Sequence, residues 1–272
     1  TILYDGEWKN DKPCGYGRKY FPRTGDRHEG SYMNGERHGL GVYLWANGDK
    51  YSGDWQMGLM DGRGRFEWAS SGEIYNGNWR KGKMTGDGVK ILSDGSKLQG
   101  TFQNGALNGW AEKSFAEGDV YKGNFKDNSR SGYGEYVWAD GRSYRGNWEA
   151  DCMHGQGELI TTAAAVSSSS SSTAAGRGGS NGSALPRHID FTRIESVVHY
   201  RGEFQRGRLQ GYGTAALFDG STYTGEWKED KCHGWGRMLY TDGSVYDGDF
   251  SWGVRSGQGQ LMHHIPNVYS LQ

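Results

Sequence analysis

The chain is poor in most of what soluble proteins use to hold themselves together. Hydrophobic residues make up only 34 % of its 272 positions, and mean hydropathy is −0.84. No apolar run approaches the roughly 18 residues that a membrane-crossing helix needs. Cysteine is scarce: Cys14, Cys152 and Cys232 lie far apart, each in an expected hairpin turn, with no CxxC spacing. An odd number so placed argues against a disulfide framework and a structural zinc site, and suits a reduced, cytosolic setting. The four prolines (Pro13, Pro22, Pro186, Pro266) avoid expected strand interiors, as ladder hydrogen bonding requires. Neither charge sign dominates, with 31 basic and 32 acidic residues mixed along the chain and a net charge of −1. Nucleic acid would demand a basic stripe, so it is not an expected partner. Thr1 already stands inside a repeat, which reads as a segment of a longer or processed chain.

What the chain has is glycine (47 residues), aromatics (14 %) and a period. A phrase of the form Tyr-x-Gly-x-Trp returns ten times, usually 23 residues apart, led by Tyr4, His28, Tyr51, Tyr75, Leu98, Tyr121, Tyr144, Tyr200, Tyr223 and Tyr246. Gly, Asp or Asn follows at the seventh position after the leading residue. Gly always stands at the eleventh, and at the thirteenth Gly again, except for Ala111. A fixed period of this length marks a repeat architecture whose function lies in its surface.

Each unit reads as a hairpin. Tyr51, Gly53 and Trp55 alternate with Ser52, Asp54 and Gln56, a strand with one apolar face. Met57-Gly58 and the residues that follow, like Asn34-Gly35 and Asn104-Gly105 elsewhere, supply the turn. Gly62, Gly64, Phe66 and Trp68 run back along the same face. The fourth position after the leading residue is aromatic in all ten units (Trp8, Tyr32, Trp55, Trp79, Phe102, Phe125, Trp148, Phe204, Trp227, Phe250). Glycine beside these rings opens a flat patch on which a neighbouring ring can lie, so Gly77→Val is expected to clash. Twenty strands at about 4.8 Å each would give an all-β, elongated, twisted antiparallel meander of about ten consecutive hairpins, a single-layer sheet on the order of 95 Å long. Its open edges call for capping by further sequence, by self-association or by a partner.

Between the seventh and eighth units the spacing jumps from 23 to 56 residues. The expected organisation is therefore repeats over 1–161, a Ser/Ala/Gly-rich loop over 162–188, a strand extension and further repeats over 189–262, and a tail over 263–272. The loop reads as a tolerated surface expansion, with a phosphorylated or partner-binding tether as the alternative.

The phrase Tyr-x-Gly-x-Trp-x-x-Gly-x-x-x-Gly-x-Gly, met at every position by Tyr51–Gly64 and Tyr75–Gly88, resembles the MORN repeat (membrane occupation and recognition nexus). His28, Leu98, Asp11, Asn128, Asp151, Asp230 and Ala111 depart from it and are expected to weaken their units. The resemblance implies a non-enzymatic scaffold for protein–protein contacts, with no cofactor. Relatives occur in radial spoke heads and other ciliary assemblies, in cytoskeletal complexes and at membrane junctions. Partners are then other proteins of a large cytoskeletal or axonemal complex. Other relatives are joined to catalytic domains, so a regulatory fragment of an enzyme is a further alternative.

No catalytic or phosphate-binding constellation is legible. His38, His154 and His233 sit in different units, about 10 Å or more apart, and read as turn residues, not a metal site. His263-His264 read as structural filler. The ten fourth-position aromatics form the candidate partner-binding face, with Trp55 and Trp79 expected to be exposed. Arg80, Lys81 and Lys83 at one hairpin tip form a candidate contact for anionic lipid, the rival being an ordinary solvated turn. Arg201, Arg206 and Arg208 make a second such cluster.

Overall fold

The computed structural model describes residues 3–161 and 197–263, and every regular element among them is a β-strand. They gather into two compact units, residues 1–129 and 130–272. The first contains β1 (Tyr4–Lys9), β2 (Lys12–Phe21), β3 (Asp26–Met33), β4 (Glu36–Leu44), β5 (Lys50–Gln56), β6 (Leu59–Glu67), β7 (Ile74–Arg80), β8 (Lys83–Ile91), β9 (Lys97–Gln103), β10 (Ala106–Ser114) and β11 (Val120–Lys126). The second contains β12 (Ser129–Val137), β13 (Ser143–Glu149), β14 (Cys152–Ile160), β15 (Val197–Gln205), β16 (Arg208–Leu217), β17 (Thr222–Lys228), β18 (Lys231–Leu239), β19 (Val245–Ser251) and β20 (Val254–Met262). In each unit consecutive strands pair antiparallel and order follows sequence. Each is an open meander of hairpins. The loop 162–188, residues 189–196 of the strand extension and the tail beyond His263 lie outside the described residues.

The hairpin turns occupy two residues, both at positive φ, as in Asn34 (52°) and Gly35 (90°) or Met57 (49°) and Gly58 (80°). This is the turn whose twist matches that of the flanking strands. Its brevity corrects one expectation. Cys14, Cys152, Cys232, His38, His154 and His233 are not turn residues but lie in the returning strands, because pairing resumes directly after the turn.

Three glycines in every unit but the one with Ala111 do two jobs. The eleventh-position glycine is held at positive φ (Gly39 76°, Gly132 71°, Gly234 59°) opposite a break in register such as that between Gly53 and Trp55. This is a β-bulge, and an L side chain there would be strained. The second- and thirteenth-position glycines pair across the hairpin, Gly53 with Gly64 and Gly77 with Gly88. There the constraint is space: a Cβ on Gly77 would stand 2.6 Å from Tyr75 Cζ and 2.7 Å from Gly88 Cα. The leading tyrosine lies over this bare pair. Its hydroxyl donates to the carbonyl freed by the bulge, as from Tyr51 to Asp54 O (2.9 Å) and from Tyr200 to Glu203 O (2.9 Å).

Turn residues also stitch successive hairpins. The seventh-position N–H donates to the ninth-position carbonyl of the unit before, as from Gly58 to Arg37 O (3.0 Å) and from Asp151 to Arg130 O (3.2 Å). Where that position is Asn or Asp, the side chain also accepts the ninth-position N–H. Leu107 donates to Asn128 Oδ1 (2.8 Å), Arg130 to Asp151 Oδ1 (2.9 Å) and Leu209 to Asp230 Oδ1 (2.7 Å). Asn128, Asp151 and Asp230 therefore do not weaken their units; they close a two-way clasp that glycine cannot. Substituting Asp230→Gly restores the commoner residue yet should lower stability by about 1 kcal/mol, read as the midpoint of denaturant unfolding. An unchanged or raised midpoint would contradict the clasp.

Candidate interaction surfaces

The inner face of each unit carries the fourth-position aromatics, and their exposure is the main correction to the sequence reading. Tyr32, Trp55, Trp79, Phe102, Phe125, Trp148, Phe204, Trp227 and Phe250 are at most 5 % exposed; Trp8 alone is open, at 57 %. Where the leading residue is tyrosine, the ring stands edge-on to it and, where there is one, to the tyrosine of the unit before; His28 takes that place beside Tyr32 and Trp55. Trp79 lies 5.3 Å from Tyr75 and 5.5 Å from Tyr51; Trp227 lies 5.1 Å from Tyr223 and 5.3 Å from Tyr200. Their indole N–H groups donate to thirteenth-position carbonyls, Trp79 to Gly64 O (3.1 Å) and Trp227 to Gly213 O (3.2 Å). Such edge-on pairs contribute about 0.5–1.5 kcal/mol each beyond their burial. These rings are the core of a single-layer sheet, so Trp55 and Trp79 offer a partner little surface.

The exposed rings stand on the opposite face. The residue between the eleventh and thirteenth positions points outward and is large and apolar in six units: Tyr16, Leu40, Trp110, Tyr133, Tyr212 and Trp235, between 53 % and 69 % exposed. The signal was in the sequence, as the middle residue of Gly-Tyr-Gly, Gly-Leu-Gly and Gly-Trp-Gly. A carboxylate three residues after the leading position holds several of them by the backbone: Glu7 accepts from the Tyr16 N–H (3.1 Å) and Glu226 from that of Trp235 (3.2 Å). Ion pairs flank the row, Arg18–Glu29 (3.0 Å), Arg145–Glu135 (2.8 Å) and Arg237–Asp247 (2.7 Å), each joining the end of one hairpin to the start of the next. Exposed as they are, these pairs add little stability and serve mainly to specify register. Across the first three repeats Tyr16, Arg18, Glu29, Leu40, Val42 and Ser52 help line an outer concavity of about 1080 Å³.

Arg80, Lys81 and Lys83 are exposed around the turn between β7 and β8, as expected. The Lys81 N–H, however, donates to the Asp61 carboxylate (3.1 Å), which places a negative charge beside the cluster. Arg208 pairs with Glu229 (3.0 Å). Among the described residues no group of three or more His, Cys, Asp or Glu side chains is disposed to hold a metal, and no helix is long and apolar enough to cross a membrane. Burial pushes the Cys232 thiol up to about 12.

His28 occupies a leading-tyrosine position and is 1 % exposed. Too short to reach the freed carbonyl, it pairs through Nδ1 with Tyr32 Oη (2.8 Å), leaving Nε2 without a partner over Gly41. Desolvation, reinforced by the nearby Arg37 guanidinium, pulls its pKa down to about 4. Protonation therefore favours the unfolded chain, where histidine titrates near 6.5. The stability contributed by neutral His28 is complete above that value and is lost as pH falls from 6.5 towards 4, by on the order of 3 kcal/mol at most. The variant His28→Tyr should lose less stability across this window than the parent in paired thermal melts. Identical pH slopes would contradict the assignment.

The MORN-repeat family model matches residues 4–23, 28–50, 51–73, 75–97, 121–141, 144–161, 200–222, 223–245 and 246–262. The β9–β10 hairpin, the unit with Leu98 and Ala111, falls outside these matches yet has the same strand pairing. No curated protein matches the chain. Among solved structures it is similar to the wild-type TCP10 domain of Danio rerio CPAP in complex with a peptide of Danio rerio STIL, at 14 % identity over 90 % of this chain and 93 % of that one, TM-score 0.44. A second likeness is to the SAS-4 (dCPAP) TCP domain of Drosophila melanogaster in complex with a proline-rich motif of Ana2 (dSTIL), at 14 % identity over 53 % of this chain and 77 % of that one, TM-score 0.35. Superpositions this loose say nothing of function. Nine matched repeats, spread over most of the chain and built as the hairpins described, show that it belongs to the MORN-repeat family.

Proposed function

We propose that the chain is a non-enzymatic scaffold that binds other proteins within a microtubule-based assembly, the ciliary or flagellar axoneme in the first instance. One observation carries the scaffold reading: the buried rings are committed to holding the sheet, while a recurring row of large apolar side chains is presented outward from bulges that fix its backbone. Exposed, rigidly held aromatics are the residue type that anchors protein interfaces. The axonemal part rests on the resemblance to MORN proteins of radial spokes and other ciliary assemblies, since a fold alone does not fix a function.

The experiment is retention of the tagged chain on axonemes after detergent extraction of ciliated cells. The parent is expected to remain with the axoneme. The double variant Tyr212→Ala/Trp235→Ala should wash out while keeping its melting temperature within a few degrees, because both side chains stand clear of the core. Complete extraction of the parent by detergent would contradict the axonemal reading. Retention of the double variant would contradict the outer row as the contact. Flotation of the parent with anionic vesicles, lost with Arg80→Glu/Lys83→Glu, would favour lipid contact in its place.

A further inference from the structure

The floor of the outer concavity is a strip of bare aliphatic surface. β4 runs through it and points Leu40, Val42 and Leu44 the same way, between 37 % and 69 % exposed, while Tyr43 is buried on the inner face. Among the described returning strands no other carries three aliphatic side chains in this row; β6 has Arg63, Arg65 and Glu67 there. Three outward residues on one strand span about 13 Å. On the neighbouring β3, Glu29 faces Val42, but its carboxylate is engaged on the other side, where it accepts from the Tyr16 hydroxyl and from Arg18 (3.0 Å). Tyr16, more than half exposed, forms a wall beside the strip.

The two ends of the strip differ in charge. Leu44 has Arg27 opposite it on β3 and Lys50 on β5; both are exposed, and Arg27 makes no ion pair among the described residues. Leu40 has Asp54 opposite it on β5, whose carboxylate also accepts the Arg63 N–H (2.8 Å). Between those ends β4 is paired on both sides, so the sheet has no free backbone groups to offer a ligand. An extended segment laid over the strip would find no partners in the sheet for its own N–H and C=O groups. A helix satisfies them internally. One of about ten residues, a cylinder about 10 Å wide and 15 Å long, displaces about 1200 Å³. The concavity measures about 1080 Å³.

We infer that this concavity receives an amphipathic α-helix of a partner protein, about ten residues long. Aliphatic side chains at i, i+4 and i+8, about 12 Å from first to last, lie along Leu40, Val42 and Leu44. Charge sets the direction of the helix. Its N-terminus, the positive end of the helix dipole, lies over Asp54, and its C-terminus, the negative end, lies over Arg27 and Lys50. The inference rests on the reading of the outer face as the contact surface. It does not depend on where in the cell the contact is made.

The test pans a phage-displayed library of random 16-residue peptides on the full chain. Enriched peptides are then synthesised, and their affinity is read by fluorescence anisotropy. They should carry Leu, Ile, Val or Met at spacings of three and four residues, and should gain helical circular dichroism on binding. Leu40→Asp/Leu44→Asp should weaken them by about tenfold or more, with a melting temperature within a few degrees of the parent, because both side chains stand clear of the core. Arg27→Glu, at a fully solvated position, should weaken them several-fold at low salt and less at high salt. A library that yields no enriched peptide overturns the inference. So do peptides that bind in extended form, or whose binding survives Leu40→Asp/Leu44→Asp or Arg27→Glu unchanged. Helical peptides lost only with Tyr212→Ala/Trp235→Ala would also overturn it, while leaving the outer row as the contact surface.

Discussion

A tyrosine ring lying flat on a pair of glycines sets the terms for the rest of this molecule. A lone β-sheet has no second layer to cover its apolar face, and a chain with 34 % hydrophobic residues cannot supply one. The repeats avoid the need by letting the sheet cover its own rings. With no Cβ at Gly53 and Gly64, Tyr51 sinks against the backbone, and Trp55 and Trp79 stand edge-on at its sides. Tyr51 ends fully buried. The unit with Leu98 in the tyrosine position illustrates the constraint from the other side. It is also the one unit whose thirteenth residue is Ala111, a methyl group that occupies space a tyrosine would need.

From that packing follows the division between the two faces. Side chains on the inner face are fixed by the need to fill around the tyrosines, which leaves little freedom for recognition. Those on the outer face are constrained only by strand geometry and by cross-strand charge, as at Arg237 and Asp247. The bulge that frees a carbonyl for the tyrosine hydroxyl also turns the residue between the two glycines outward and offers its N–H to a carboxylate. Core stability and surface display thus share one backbone irregularity.

Strand order and the positions of the hairpin turns were legible because each rests on local chemistry: alternation in Tyr51–Gln56, Asn-Gly at residues 34–35, glycine spacing throughout; that the turns are only two residues long was not. Burial was not legible. The fourth-position aromatics are apolar whether they face solvent or one another, and only the edge-on contact of Trp79 with a tyrosine 28 residues earlier decides the matter. Asp151 and Asp230 were misjudged for a related reason, since their use depends on a residue 21 positions away in the preceding hairpin. The outward row was not among the expectations, because the repeat is defined by its inward residues; strand alternation in β16 puts Tyr212 on the opposite face from Leu209, Gly213 and Ala215.

The most direct test of the central claim is a double-mutant cycle on Tyr51 and Gly64, followed by denaturant unfolding of the full chain. Gly64→Ala alone should be strongly destabilising, because the new methyl group would occupy the tyrosine's place. In a Tyr51→Leu background, which imitates the natural combination of Leu98 with Ala111, the same substitution should cost at least about 1 kcal/mol less. Equal costs in the two backgrounds would mean that glycine is required there for some other reason, and that the ring on bare backbone is not what holds the repeats together.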